Sequence, residues 1–253
     1  MSTTTEATRA TNLDRVAALD PVFAQMVGAT AEHVHAIPEL TDREKTFLCV
    51  VADVCQPSLG LAFEAHVRAG IGRGVSTTDI RALLRFISYD CGYPAAAAGF
   101  ERLAEFEAAE GLSPDEAAPL AADLLETGPG AAPSPLPDAV RAQLRELDDH
   151  FAEFFDLQSR MRSGAGPGTL TERERGFASM SIDVHYQTLE ETFQAHVGRA
   201  SRGGASHDDV RAALRFNAQF GVTRAWSAWK ALNAYLAELE TPRTGAGSVP
   251  VVP

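Results

Sequence analysis

The sequence predicts an all-α protein made of two tandem, related helical units, and three observations predict it. Apolar residues recur at helical spacing, while no segment alternates polar and apolar residues at period two with strand-like composition. Four boxes pair a hydroxyl residue with an acid three positions on: Thr41-Glu44, Ser76-Asp79, Thr171-Glu174 and Ser206-Asp209. Each is the reciprocal cap that opens a helix. The third observation is self-similarity. Residues 40–86 align with 170–216 without a gap, at an offset of 130, with 20 identities over 47 positions. Unrelated segments share only a few positions, so the chain reads as an internal duplication.

The elements follow in order. Asp20-Pro21 is a cap followed by proline at the first helical position, and it opens a leading helix. Thr41 opens a helix over 42–55, and a second runs over 58–73 to the terminating Gly74. Ser76 opens 77–91. Gly92 then Pro94 end that helix and start one over 94–109. Residues 111–137 are rich in Pro, Ala and Gly and read as a linker with one short helix near 114–126. The second unit carries counterparts over 138–161, 172–186, 188–202, 207–220 and 223–240. Leu147-Asp148 repeats Leu19-Asp20, and Phe151-Ala152 repeats Phe23-Ala24. The units therefore span 12–110 and 138–240. Residues 164–168 form a second flexible point, and 241–253 read as a disordered tail.

Composition bounds the function. The formal net charge is −12, and only Lys45 and Lys230 are lysines. An acidic chain without a basic run has no electrostatic footprint for nucleic acid or anionic lipid. No apolar run reaches the length of a membrane span, and residues 1–10 lack a secretory apolar core. Cys49, Cys55 and Cys91 lie in apolar helical stretches without a C-x-x-C, which points to free thiols in the cytoplasm. No metal-ligand spacing, phosphate loop or nucleophile elbow occurs.

Three motifs carry a resemblance. They are Leu40-Thr41-x-Arg43-Glu44, then Phe63-Glu64-Ala65-His66-Val67 followed by Gly74-Val75-Ser76-x-x-Asp79-Ile80, then Tyr89-x-x-Gly92-Tyr93-Pro94-Ala95-Ala96. In this order and spacing the chain resembles the carboxymuconolactone decarboxylase / alkylhydroperoxidase-D-like family. The second unit repeats the first two motifs through His196-Val197 and Gly204-x-Ser206-x-x-Asp209, but Phe220-Gly221-Val222-Thr223-Arg224 lacks the proline. The resemblance implies an all-α fold, an assembly of several units (here a trimer or dimer of two-unit chains), and cofactor-independent decarboxylation of unsaturated lactone acids. It also includes thiol peroxidases with a C-x-x-C ahead of the His. Leu59 and Ala62, and Leu189 and Thr192, stand there instead, so the thiol peroxidase reading is set aside.

His66 and His196 are the sharpest catalytic candidates, since an imidazole beside an apolar pocket exchanges protons near neutral pH. Against this stands a packing role in which each ring bonds a backbone carbonyl. Asp53 and Asp183 sit at equivalent places inside apolar helices, where a carboxylate needs a partner. They are read either as bases with raised pKa or as structural partners of arginines such as Arg81, Arg85, Arg211 and Arg215. His185 with Asp183 and His196 would concentrate titratable groups in the second unit. Tyr186, Trp226, Trp229, Tyr89, Tyr93, Phe63 and Phe193 are the candidate substrate walls. The functions in competition are two. One is a cofactor-free lyase or isomerase acting on a small organic acid, lactone or cyclic ketone, possible in a specialised biosynthetic pathway. The other is a non-catalytic binding or assembly protein on the same scaffold.

Overall fold

The computed structural model describes residues 12–164 and 170–240, and these contain helices and turns without a strand. A short helix α1 covers 12–17. It is followed by α2 (Pro21–His35), α3 (Asp42–Cys55), α4 (Leu61–Ile71), α5 (Thr77–Cys91) and α6 (Tyr93–Glu110). After the linker come α7 (Asp138–Leu147), α8 (Asp149–Gly164), α9 (Glu172–Tyr186), α10 (Glu191–Arg202), α11 (His207–Asn217) and α12 (Val222–Glu240). Among the described residues no helix is long and apolar enough to cross a membrane. The expectations for residues 1–10 and 241–253, and for most of the flexible point at 164–168, fall outside the described residues.

All four boxes form with both reciprocal bonds, at Thr41, Ser76, Thr171 and Ser206. Asp20 caps α2 by accepting from the Phe23 amide at 2.6 Å. Three expected elements differ. The helix over 138–161 breaks at Asp148, which is extended and caps α8 by accepting from the Phe151 amide at 2.6 Å. A carboxylate that captures an amide of the next turn stops the helix before it as well as starting the one after. The linker helix near 114–126 does not form, because Pro119 at its middle has no amide to give; only tight turns at Ala122–Leu124 and Gly128–Gly130 appear. The helix expected over 207–220 ends at Asn217, and Ala218–Phe220 turns tightly into Gly221.

Helices α3 and α9 pack side by side at the centre, and two apolar clusters form around them. One joins Val34, Leu48 and Cys49 to Phe177, Phe193, Leu214, Phe216 and Leu232. The other joins Phe47, Val50, Phe63, Leu84 and Phe86 to Leu170, Ala178 and Ile182. Each cluster thus draws on both halves of the chain, and each fully buried phenyl adds about 2 kcal/mol of transfer free energy. Ion pairs cross the same seam reciprocally: Arg43 meets Glu174 at 2.7 Å, and Arg173 meets Glu44 at 2.6 Å. The leading helices also cross over. α2 of the first half lays Val34 and His35 against α11, and α8 of the second half lays Phe155 and Arg162 against Tyr89 and Phe86 of α5.

Candidate active site

Two Asp–His pairs stand at equivalent places, and their surroundings differ. In the first, α3 sets Cys49 and Asp53 one helical turn apart, facing α4. His66 on α4 places Nδ1 2.7 Å from Asp53 Oδ2. The carboxylate is 3% exposed and the imidazole 26% exposed, so the ring stands between a buried acid and open space. Burial lifts the Asp53 carboxyl above its ordinary range, against the pull of His66. Burial works against a protonated His66, but the Cys49 and Asp53 side chains outweigh it and hold the imidazole well above its usual value. The two groups titrate as a pair.

His66 lines a cavity of about 560 Å³ walled by Val16, Phe23, Met26, Leu61 and Ala65, with Phe220 closing one side. Two further polar groups converge on it. His35 ends α2, where Lys45 Nζ donates to its carbonyl at 2.8 Å and the ring stands edge-on to Phe216. Burial, then the cations Arg73 and Lys45, lower its pKa to about 4, so His35 is neutral near pH 7. Among the described residues its Nδ1 is buried without a hydrogen-bond partner. Arg73 reaches the same cavity, with Nη1 donating to the Ala69 carbonyl at 3.1 Å and Nε 3.5 Å from Asp42.

The second pair is closed. His196 Nδ1 lies 2.6 Å from Asp183 Oδ2, and the Thr188 hydroxyl donates to Asp183 Oδ1 at 2.6 Å. The two residues are 3% and 4% exposed. Ser179 stands where the first half has Cys49. Arg162 donates to the Ser179 hydroxyl at 2.5 Å and to Asp90 at 2.6 Å, and it spreads over the Phe86 and Tyr89 rings. In the first half, the small apolar Val34 is buried in the cluster that holds Cys49 and Phe216.

Several expected site residues are placed elsewhere. His185 does not join Asp183 and His196: residues two apart on a helix diverge. Its ring instead meets Phe220 at 6.0 Å, on whose other contact His66 stands at 6.1 Å. Burial, then Arg224, bring His185 to a pKa of about 4. Arg81 pairs with Glu107, and Arg215 with Glu39, so the buried aspartates take histidines rather than arginines as partners. Phe63 and Phe193 are core residues with no exposure, not cavity walls. Trp226 is 67% exposed, and Tyr186 is also exposed. Trp229 borders a separate cavity with His33 and Arg215, and Tyr89 and Tyr93 border another. Sequence reasoning missed Cys49, His35, Arg73 and Phe220. For Cys49 a signal was present, since it lies one turn before Asp53; the other three are brought in by tertiary packing. Among the described residues no group of three His, Cys, Asp or Glu side chains is placed to hold a metal.

The family model for the carboxymuconolactone decarboxylase family matches residues 21–105, the stretch that holds Asp53 and His66. No curated protein matches the chain. Among solved structures, a Burkholderia xenovorans LB400 protein described as a gamma-carboxymuconolactone decarboxylase subunit is 21% identical, with 90% of this chain and 91% of that chain covered and a TM-score of 0.48.

Proposed function

We propose that the chain, whose residues 21–105 match the carboxymuconolactone decarboxylase family model, is a decarboxylase-like lyase working through its first Asp–His pair. One observation carries this reading: the Asp53–His66 pair opens onto an apolar cavity that also receives Arg73 and a neutral His35. Arg73 suits the carboxylate of a small organic acid or lactone acid. Loss of carbon dioxide breaks the bond between the carboxyl carbon and its neighbour, and the electron pair moves into an adjacent carbonyl as an enolate. His66, kept protonated by Asp53, hands a proton to that carbon and recovers one from water. His35 accepts hydrogen bonds or a proton from the substrate. Environments that push two imidazoles apart in pKa divide acid from base in this way. The apolar wall keeps water from the enolate. The second pair, buried behind Arg162, is structural in this reading and holds α9 to α10.

The cytoplasm, and a complex of two or three copies of this chain, fit the reading. Leu19, Phe23 and Met26 on or before α2 are exposed, and so are Leu147, Phe151 and Phe154 at the matching places of the second half. A patch of this kind marks an interface.

The test is turnover of a panel of unsaturated lactone acids by two variants. His66→Gln is expected to lose about 10²–10⁴-fold in kcat/KM, while His196→Gln keeps activity near that of the parent. Equal losses, or no loss in either, would reject the first pair as the catalytic one. A parent chain that binds these acids without converting them would instead favour the binding-protein reading.

A further inference from the structure

We propose that a second cavity, formed by α5, α6, the linker and α8, binds a small organic carboxylate with an apolar body, and that Arg85 takes the carboxylate. The cavity measures about 910 Å³ and lies apart from the one that holds His66. Three guanidinium groups border it, and two already have acids. Arg81 holds Glu107 with paired bonds of 3.0 and 2.5 Å, and Arg162 holds Asp90 at 2.6 Å. Arg85 is half-buried, and among the described residues no carboxylate stands within ion-pairing distance of it. Its electrostatic surroundings are burial and the like charge of Arg81, both of which disfavour the cation. Asp115 and Glu116 also border the cavity. Asp115 is engaged with Thr78, whose hydroxyl lies 2.9 Å from the Asp115 amide and 3.3 Å from its carboxylate.

The other half of the chain supplies the comparison. Arg215 occupies the position equivalent to Arg85, beside a cavity of about 740 Å³ lined by His33 and Trp229. There Glu39 meets the guanidinium at 2.6 Å. The residue aligned with Glu39 is Thr169, so the sequence gives Arg85 no matching acid. A partly desolvated cation without an acid is costly, and an anionic ligand relieves that cost. The rest of the wall selects the kind of anion. Ala96, Phe100, Leu120, Leu124 and Met161 offer apolar surface, and the Tyr89 and Tyr93 hydroxyls stand at its edge, 3.4 Å from Ser159 and 2.9 Å from Gln158. A hydrated inorganic anion leaves that surface unused. An aromatic or short-chain carboxylate covers it while its charge meets Arg85.

The test titrates the full chain with benzoate by calorimetry, with benzamide and inorganic phosphate as the comparison probes. Benzoate is expected to bind, and benzamide and phosphate at least about tenfold more weakly. Arg85→Gln is expected to weaken benzoate about tenfold or more, and to do so equally when Arg73→Gln has removed the guanidinium of the other cavity. Removing a cation that repels Arg81 is not expected to unfold the chain, which thermal unfolding checks. As an independent arm, Ala97→Trp on the exposed rim of α6 is expected to block the cavity and abolish binding with Arg85 intact. Benzoate binding that survives both Arg85→Gln and Ala97→Trp when Arg73 of the other cavity is also replaced by Gln overturns the proposal. So does loss of binding on Arg73→Gln alone, equal binding of phosphate, or no binding of benzoate to the parent chain.

Discussion

At the scale of single residues, the first Asp–His pair makes a prediction about pH. Asp53 and the thiol of Cys49 stabilise the charged form of His66, whose pKa stands well above 6.5. An acid with a raised pKa stays protonated through neutrality, so activity that needs it falls only on the alkaline side. Asp53→Asn keeps an oxygen that can accept from Nδ1–H but removes the negative charge. The imidazolium then loses its main carboxylate partner, its pKa drops, and the alkaline limb of kcat/KM moves toward neutrality. A profile measured from pH 5 to 10 that keeps the parent's alkaline limb would show that Asp53 does not set the charge on His66. The sequence made Asp53 and His66 conspicuous separately, one as an acid in an apolar helix and the other as the histidine of a family motif. Their pairing was not legible, since the 12 residues between them include a helix break whose angle only packing decides. The same holds for His35, at the end of α2, and Arg73, in the turn after α4, which share a cavity only through tertiary packing.

At the scale of elements, the boxed helix starts were legible because each cap is a local bond between residues three apart. The break at Asp148 was harder, since one carboxylate both ends α7 and starts α8, and the surrounding apolar period runs on through it. The approach of paired helices was not legible at all, and it carries a prediction. In the first half, the three atoms nearest a Cβ added at Gly70 of α4 all belong to the Thr46 side chain, with Cγ2 at 2.4 Å. In the second half the small residue has changed sides: Gly176 of α9 faces Ala200 of α10. A Cβ there meets the Ala200 backbone, at 2.5 Å from N and 2.6 Å from Cα. Gly70→Ala and Gly176→Ala are each expected to cost about 1–3 kcal/mol through overpacking, offset in part by helix propensity. Thr46→Ala should largely rescue the first, because it removes Cγ2 at 2.4 Å and Oγ1 at 3.0 Å and leaves only Cβ, at 3.3 Å. Ala200→Gly should leave the second destabilised, because backbone cannot be trimmed. Urea unfolding of the two double-mutant cycles measures both couplings; equal rescue in the two halves would contradict the difference in packing.

At the scale of the whole molecule, the halves share their cores and exchange their leading helices, so acid that reaches the seam acts on both. His35 and His185 sit there, His35 edge-on to Phe216 and His185 against Phe220. In an unfolded chain each titrates near 6.5, and in the folded protein burial and neighbouring cations bring each to about 4. Between these values the unfolded chain holds protons that the folded one lacks. The stability linked to these two histidines is therefore complete above about pH 6.5, declines as pH falls toward about 4, and levels off below, where both states are protonated. His66 has the opposite sign. Its pKa is raised on folding, so the stability from its pair with Asp53 is full below about 6.5 and is lost as pH rises through the folded value. The two effects place the maximum near neutrality. His185→Gln keeps a polar side chain that can face Gln56 but removes one titrating group, so the decline in urea midpoint from pH 7 to 4.5 should be shallower than in the parent, whatever the variant's own stability at pH 7. A parallel decline would mean that protonation of His185 does not open the seam.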